Sequence, residues 1–350
     1  MIVLFPTYAR RLPGTSRWRA SVAGMVARPL PERSRRRVLA VGVLKRLLDL
    51  DEAQLDSDVF RRRADAFFFQ RVAGERVRVE VQGRPIDAGT TDRTGHFSAQ
   101  FELPDDFVAA AAEPRSPGVR RLAWTAAVGG SEWGASAGGD RVAAGGGIHV
   151  IEPEGLSVIS DIDDTVKVTN VADRRELLRN TLLREFVAVP GMAEVYRRWQ
   201  DGGTAFHYVS ASPWQLSRCL CGFLDDAGLP AGSMHLKLFR LKDSTPLGRL
   251  PSRKRSKRRV IEQVMADFPG RRFLLVGDSG ERDPEVYAAV ARRRPDQVAG
   301  IAIRLVDSRA PRRKVRDRLD RLAGRLPPGR LAVFSEPGEL AAYQGLSKAF

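Results

Sequence analysis

Two kinds of hydrophobic spacing divide the chain. Before residue 150 the apolar positions alternate with polar ones. Val77, Val79 and Val81 are separated by Arg78 and Glu80, a period of two that puts all three valines on one face of a strand. Phe97, Ala99 and Phe101 repeat the pattern after the turn-forming pair Thr94-Gly95, and Trp124, Ala126 and Val128 repeat it ahead of Gly129-Gly130. Another turn is expected over residues 87–89. One buried face and one solvated face is the mark of antiparallel sheet. Residues 1–150 are therefore expected to form a smaller, mainly-β domain of the sandwich type. Within it the Arg-rich stretch 33–71, which contains VLKRLLDL, reads as a helical insertion. Residues 134–147, rich in Gly and Ala, read as a linker or flexible hairpin.

Beyond residue 150 the apolar runs become continuous. Strands are expected at 156–160, 205–209, 235–241, 273–276 and 298–306. Helical segments fall between them: 213–227, stopped by Gly228; 257–267, ended by Phe268-Pro269-Gly270; and 283–292, with Pro284 near its start. Continuous apolar strands alternating with helices indicate a parallel sheet covered on both faces. The expected fold of residues 151–350 is α/β, a doubly wound parallel sheet. Such sheets bind ligands at the carboxyl ends of their strands.

Three of those ends carry chemistry. The first strand runs into Asp161-Ile162-Asp163-Asp164-Thr165. Three neighbouring acids repel one another, and together they offer hard oxygen donors suited to Mg²⁺. A calcium-loop reading fails, because an EF-hand starting at Asp161 needs Gly and Glu where Val166 and Ala172 stand. A solvated acidic turn is the bland alternative. The second strand ends in Ser210-Ala211-Ser212-Pro213, whose hydroxyls and amides at a helix start suit a phosphate. Ser before a Pro-started helix is also an ordinary cap. A later strand ends in Gly277-Asp278, with Asp283 five residues on, where a simple cap is again an alternative. Lys257 opens the helix before that strand and could reach the carboxylates, but it sits inside the basic run 253–259.

Composition adds three points. Apolar residues make up 43% of the chain, enough for ordinary cores, yet no run of 18 predicts a membrane-spanning helix. The opening MIVLFPTYARR lacks a basic region before its apolar stretch and a cleavage site after it, so it does not read as a signal peptide. Cys219 and Cys221, two apart on an expected helix, point in different directions. They suit neither a disulfide framework nor a zinc site, and a reducing cytosol fits. The formal net charge of +16 has two readings. One is attraction to an anionic partner: phosphates, nucleic acid or an acidic membrane. The other is the bias of a GC-rich genome, because only eight of the 58 basic residues are lysine. No interleaving of basic and aromatic residues offers stacking platforms for nucleic acid.

Taken in order, these segments resemble the four motifs of haloacid-dehalogenase-type (HAD) phosphatases. Asp161-x-Asp163-x-Thr165 resembles the DxDxT of the first, Ser210 the hydroxyl of the second, and Lys257 the lysine of the third. Gly277-Asp278 with Asp283 resembles the GDxxxxD of the fourth. The likeness narrows further. SDIDDTVKVTNV, HYVSASPW, the Lys257 helix ending ADFP, and FLLVGDSGERDPEVYA resemble the catalytic domain of the actin-patch phosphatidate phosphatases and their bacterial relatives, over roughly residues 156–307. Pro6, Tyr8, a strand over 18–26 and the β-region to about Pro104 are compatible with the bacterial members. The basic stretch 241–257 does not align.

The resemblance implies an HAD-like fold and a Mg²⁺-dependent hydrolysis of a phosphate monoester through an aspartyl-phosphate, with phosphatidate giving diacylglycerol. It implies Asp161 as nucleophile and Asp163 as acid, then base. Ser210, Ser212 and Lys257 hold phosphoryl oxygens, and Thr165 fixes the loop and joins them at the substrate. The implied metal ligands are Asp161, Asp163 through its backbone carbonyl, Asp278 and Asp283. The implied location is cytoplasmic and peripheral at a membrane. Candidate patches for an anionic bilayer are 33–37, 61–63, 253–259 and 312–318. Two other classes stay open: an HAD phosphatase for a soluble ester or a nucleic-acid end, and a non-catalytic module that keeps the fold. Intact acids in the first motif weigh against the last.

Overall fold

The computed structural model describes residues 1–31, 33–128, 144–237, 253–307 and 311–342. The chain divides into two compact units. One is Met1–Glu152 with Ser217–Cys219; the other is Pro153–Leu216 with Leu220–Phe350.

The first unit begins with β1 (Ile2–Leu4), β2 (Thr7–Arg11) and β3 (Arg17–Pro29). The helices α1 (Arg35–Leu48), α2 (Glu52–Asp56) and α3 (Asp58–Asp65) then fill the expected helical stretch. β4 (Phe69–Arg71), β5 (Arg76–Val81), β6 (Arg84–Thr90) and β7 (His96–Pro104) follow. The unit ends with α4 (Asp105–Ala111), β8 (Glu113–Ser116), β9 (Val119–Val128) and β10 (Ala144–Ile151). The ten strands form one hydrogen-bonded sheet, ordered β1-β3-β2-β10-β9-β5-β6, with β4 and β7 also on β3 and β8 on β9. Hydrogen bonding thus does not separate two sheets, as a sandwich would. The reason is β3, whose thirteen residues pair with β7 along one edge and with β2 and β1 along the other. The alternation reads the buried face correctly: Val77, Val79, Val81, Trp124 and Ala126 all enter the core.

Two expected loops differ. The β5–β6 turn is Gln82-Gly83, both at positive φ (47° and 81°), which is the backbone twist of a two-residue hairpin. The expected turn at 87–89 lies inside β6 instead. Residues 144–147 open β10 rather than linking elements. Gly146 pairs with Trp124, and a Cβ there would come within 2.6 Å of the indole, so the glycine makes room for the ring. Residues 129, 130 and 134–143 lie outside the described residues.

The second unit alternates strand and helix: β11 (Gly155–Ser160), α5 (Arg174–Leu182), α6 (Met192–Asp201), β12 (Ala205–Pro213), α7 (Ser217–Asp226), β13 (Ser233–Lys237), α8 (Arg253–Asp267), β14 (Arg271–Asp278), α9 (Asp283–Arg293), β15 (Val298–Arg304), α10 (Arg312–Ala323) and β16 (Leu331–Phe334). The sheet order is β13-β12-β11-β14-β15-β16, and every neighbouring pair is parallel. Numbered in chain order this is 3-2-1-4-5-6. That order reverses between β11 and β14, which opens a crevice at their carboxyl ends. Val158, Ile159, Leu274, Leu275 and Ile301 are wholly buried, as continuous apolar strands require.

Boundaries shift in three places. Pro213 closes β12 instead of opening a helix, and a 3₁₀ turn (Trp214–Leu216) intervenes before α7. β13 starts two residues early, and residues 238–241 lie outside the described residues. α8 starts at Arg253, so Lys257 sits in its second turn. Cys219 and Cys221 are free thiols. No helix among the described residues is long and apolar enough to cross a membrane.

Candidate active site

β11 and β14 run in register, with Ser160 opposite Val276, so Asp161 emerges beside Gly277-Asp278. The Asp161 amide donates to the Val276 carbonyl at 2.9 Å, extending the ladder by one residue. Its carboxylate is buried. Oδ2 lies 3.1 Å from Lys257 Nζ, while Oδ1 has no hydrogen-bond partner among the described residues. Asp278 Oδ1 accepts from the amides of Gly280 (2.6 Å) and Glu281 (3.0 Å), and its Oδ2 is likewise unpartnered. Asp283, at the start of α9, accepts from Lys257 Nζ at 2.5 Å. One carboxylate oxygen from each of Asp161, Asp278 and Asp283 falls within 4.8 Å of the others.

Burial pushes the Asp161 carboxyl well above the usual carboxylate range; Lys257 opposes that shift, while Asp283, Glu281 and Asp278 reinforce it. Asp278 is raised for the same reasons, burial first and then Asp283 and Glu281. Burial works against the charge of Lys257, but Asp161 and Asp283 outweigh it and raise the ammonium pKa. Of the three buried carboxylates, Asp161 and Asp283 pair with the one ammonium, Asp278 accepts from backbone amides, and an oxygen each on Asp161 and Asp278 faces no donor among the described residues. That is a set of hard, anionic donors, and it fits a hard divalent cation.

The Asp163 carboxylate stands outside this cluster. Its Oδ1 accepts from Lys167 Nζ (2.8 Å) and Thr169 Oγ1 (2.8 Å). Its Oδ2 accepts from Ser212 Oγ (2.6 Å) and Ser210 Oγ (3.2 Å). Burial raises this carboxyl, but Lys167 and the hydroxyl donors prevail and hold it down to about 2. Asp161 and Asp163, two residues apart, are thus driven in opposite directions, the pattern of groups with different tasks.

Asp164 is not a third member of either group. At φ 53° its side chain turns back to accept the amides of Thr169, Asn170 and Val171, at 2.7–2.8 Å. The expectation that the three acids share one oxygen site is corrected here: Asp164 shapes the loop, and Asp283 from another element joins the cluster. Thr165 is buried, and its hydroxyl has no partner among the described residues.

Several supporting residues had no distinct sequence signal. Lys167 is buried, with Nζ also 2.7 Å from Thr169 Oγ1 and 4.6 Å from the Phe186 ring. Tyr287 donates to the Val276 carbonyl (3.1 Å) and to Asp283 Oδ2 (3.4 Å). Arg318 of α10 donates to the carbonyls of Ser279 and Glu281 and pairs with both oxygens of Glu285 at 2.7 Å. It pins the loop after Asp278. The expected basic patch 312–318 therefore loses its last member to an internal role. Among the described side chains of the run 253–259, Lys257 is more buried than Arg258, and Arg255 and Arg259 are exposed. Ser210, Lys257 and Asp283 border a cleft of about 300 Å³ whose walls include Val209, Val260 and Val286.

Gly277 has no room for a side chain. A Cβ there would press into the Asp283 carboxylate and come within 2.8 Å of the Tyr287 ring. Gly277→Ala is expected to destabilise the protein by about 1–3 kcal/mol through overpacking. Thermal denaturation reads this directly, and an unchanged midpoint would show that Asp283 moves aside freely.

Residues 156–305 match the model of a family described as phosphatidate phosphatase APP1, catalytic domain. Phosphatidate phosphatase APP1 of Saccharomyces cerevisiae is 35% identical over 160 residues, 45% of this chain and 27% of that protein. An uncharacterised protein of Schizosaccharomyces pombe is 34% identical over 165 residues, 46% of this chain and 27% of that protein. The chain thus spans about a quarter of the length of these curated relatives. A sialyltransferase from Photobacterium damsela superposes with a TM-score of 0.22 at 10% identity, covering 78% of this chain and 48% of that one, a likeness too slight to indicate a fold.

Proposed function

With residues 156–305 matching the catalytic domain of the phosphatidate phosphatase APP1 family, we propose that this protein is an HAD-like, Mg²⁺-dependent phosphatase that converts phosphatidate to diacylglycerol. The carrying observation is the division of labour at the end of β11. Asp161 sits in a buried carboxylate cluster with an unpartnered oxygen, and Asp163 sits two residues on in a shell of hydroxyl and ammonium donors.

Asp161 attacks phosphorus, a P–O bond forms to its carboxylate, and the bond to the leaving alkoxide breaks. An aspartyl-phosphate splits one hard displacement into two easier ones. Asp163 gives the alkoxide its proton and then deprotonates the water that hydrolyses the acyl phosphate. In the free protein Lys167 keeps Asp163 ionised, the form a base needs. A phosphate dianion bound beside it disfavours the carboxylate and so favours the proton the acid step requires. Ser210, Ser212 and Lys257 hold the phosphoryl oxygens, and Thr165 supports the loop. Asp161, Asp278 and Asp283, with the Asp163 carbonyl, would hold the metal. Bound there, Mg²⁺ supplies Lewis acidity and offsets the repulsion between Asp161 and the phosphate.

Phosphate release from phosphatidate in mixed micelles tests this, with and without Mg²⁺ and with a soluble aryl phosphate as control. Mg²⁺-dependent release from the lipid is expected. Release from the aryl phosphate alone would keep the chemistry and discard the lipid, and none from either would overturn both.

Lys167→Met is expected to lower kcat by roughly 10²-fold, the low end of what acid–base catalysis supplies, with little change in KM. It should also cost about 3 kcal/mol of stability, because a buried carboxylate loses its cation. Lys167→Arg should restore part of both, and a Lys167→Met enzyme of normal kcat would remove the residue from the mechanism.

A further inference from the structure

Of the six large hydrophobic residues that the described structure leaves exposed, four lie on α1: Val38, Leu39, Val43 and Leu47. Leu39 is 72% exposed. Leu39, Val43 and Leu47 recur every fourth residue and form one stripe on the helix surface. Leu48, on the opposite side, is buried, so the helix has an inner face and the stripe is not part of it.

The same exposed arc carries only positive charge. Arg35, Arg36, Lys45 and Arg46 are exposed, and α1 contains no acidic residue. Arg37 is engaged elsewhere, 2.8 Å from Asp65 and over the Phe68 ring, and Lys45 lies 3.7 Å from Glu52. Arg35, Arg36 and Arg46 have no acidic partner among the described residues.

We infer that α1 is an interfacial helix that docks the protein on an anionic lipid bilayer, its apolar stripe entering the headgroup region and its arginines meeting lipid phosphates. Apolar and cationic side chains interleaved on one arc fit that interface, where both kinds of group gain. Nucleic acid would satisfy the arginines and leave Leu39, Val43 and Leu47 unrewarded, with no exposed aromatic on the helix to stack on bases. A second copy would cover the stripe only by bringing two cationic helices together in a chain of net charge +16. The inference goes beyond the proposed catalysis and stands on the first unit alone.

Flotation of the full chain with phosphatidylcholine vesicles containing phosphatidylserine, against pure phosphatidylcholine, tests it. Phosphatidylserine is chosen because it carries no phosphomonoester, so binding is read apart from turnover. Binding to the anionic vesicles is expected to exceed binding to the neutral ones by about tenfold or more and to weaken with salt. Leu39→Asp with Val43→Asp should lower it about tenfold or more. Arg35→Gln, Arg36→Gln and Arg46→Gln together should lower it on the order of a hundredfold. Both variants change exposed residues and should keep the wild-type Tm and aryl phosphate hydrolysis. Undiminished binding by the Leu39/Val43 variant, or equal binding to neutral vesicles, would overturn the inference. A wild-type dimer that this variant dissolves would assign the face to a second copy instead. Loss of phosphatase activity with intact vesicle binding would sink the catalytic reading and leave this one standing.

Discussion

Asp161→Asn is expected to abolish phosphate release, by on the order of 10⁴-fold or more, while the protein stays folded. The amide has the carboxylate's shape and none of its nucleophilicity. It also removes one of three buried like charges. Burial already raises the Asp161 carboxyl, so its ionised form is disfavoured in the fold, and the amide relieves that. Lys257 keeps Asp283 at 2.5 Å and is not left unpaired. The thermal midpoint should therefore hold or rise as activity vanishes. The measurement is single-turnover phosphate release at saturating Mg²⁺, alongside a denaturation curve. A variant within tenfold of wild type would remove Asp161 as the nucleophile. A variant inactive because unfolded would be recognised from the melt and would leave the assignment to Asp161→Glu, which keeps the charge and misplaces the oxygen.

How much of this site could be read beforehand depends on which distances are local. The strand ends were legible, because a buried strand followed by acids or hydroxyls is a local pattern, and β11, β12 and β14 bring Asp161, Ser210 and Asp278 to one crevice. The pairing within the crevice was not. Asp163 and Asp164 adjoin in the chain, yet a positive φ at Asp164 sends its carboxylate into its own loop and leaves Asp163 to the serines. Nothing local marks Lys167 for burial, since lysine is rarely buried without a partner. Its partner is Asp163, and only the fold around that loop shows it. Lys257 is one cation among many until burial separates it.

The first unit teaches the same point about sheets. Alternation tells which face of a strand is buried and says little about its neighbour across the ladder. The alternation puts Trp124 in a strand, and it lies in β9. That its indole lies over Gly146, converting a Gly-rich linker into β10, is a tertiary fact. The long β3, which pairs with β7 along one edge and β2 along the other, depends on partners on both edges that no local pattern names.

The second large effect concerns the metal. Asp161 and Asp278 both have carboxyls raised above their unfolded value near 4, chiefly by burial. Between the unfolded and folded values the native state holds more protons than the unfolded chain, so stability falls as pH rises above about 4 and through the folded values. Asp163 has the opposite sign. Its carboxyl is held at about 2, so its contribution is present above about 4 and is lost as pH falls toward 2. Burial holds His149 and His235 down at about 4, which acts the other way below about 6.5, so the comparison belongs above pH 7: there the metal-free protein is expected to melt at a lower temperature as pH rises. Mg²⁺ needs the ionised carboxylates, so it should stabilise most at the alkaline end. Asp278→Asn separates these effects. Its amide oxygen can keep the bonds from Gly280 and Glu281, while the unpartnered Oδ2 becomes a neutral NH₂. The metal-free variant should melt higher than wild type and depend less on pH. Mg²⁺ should stabilise it little, and the Mg²⁺ concentration for half-maximal phosphate release should rise about tenfold or more. An unchanged Mg²⁺ midpoint would take Asp278 out of the ligand set. A raised midpoint with an unchanged pH dependence of melting would keep it there, and would place the buried charge on Asp161 alone.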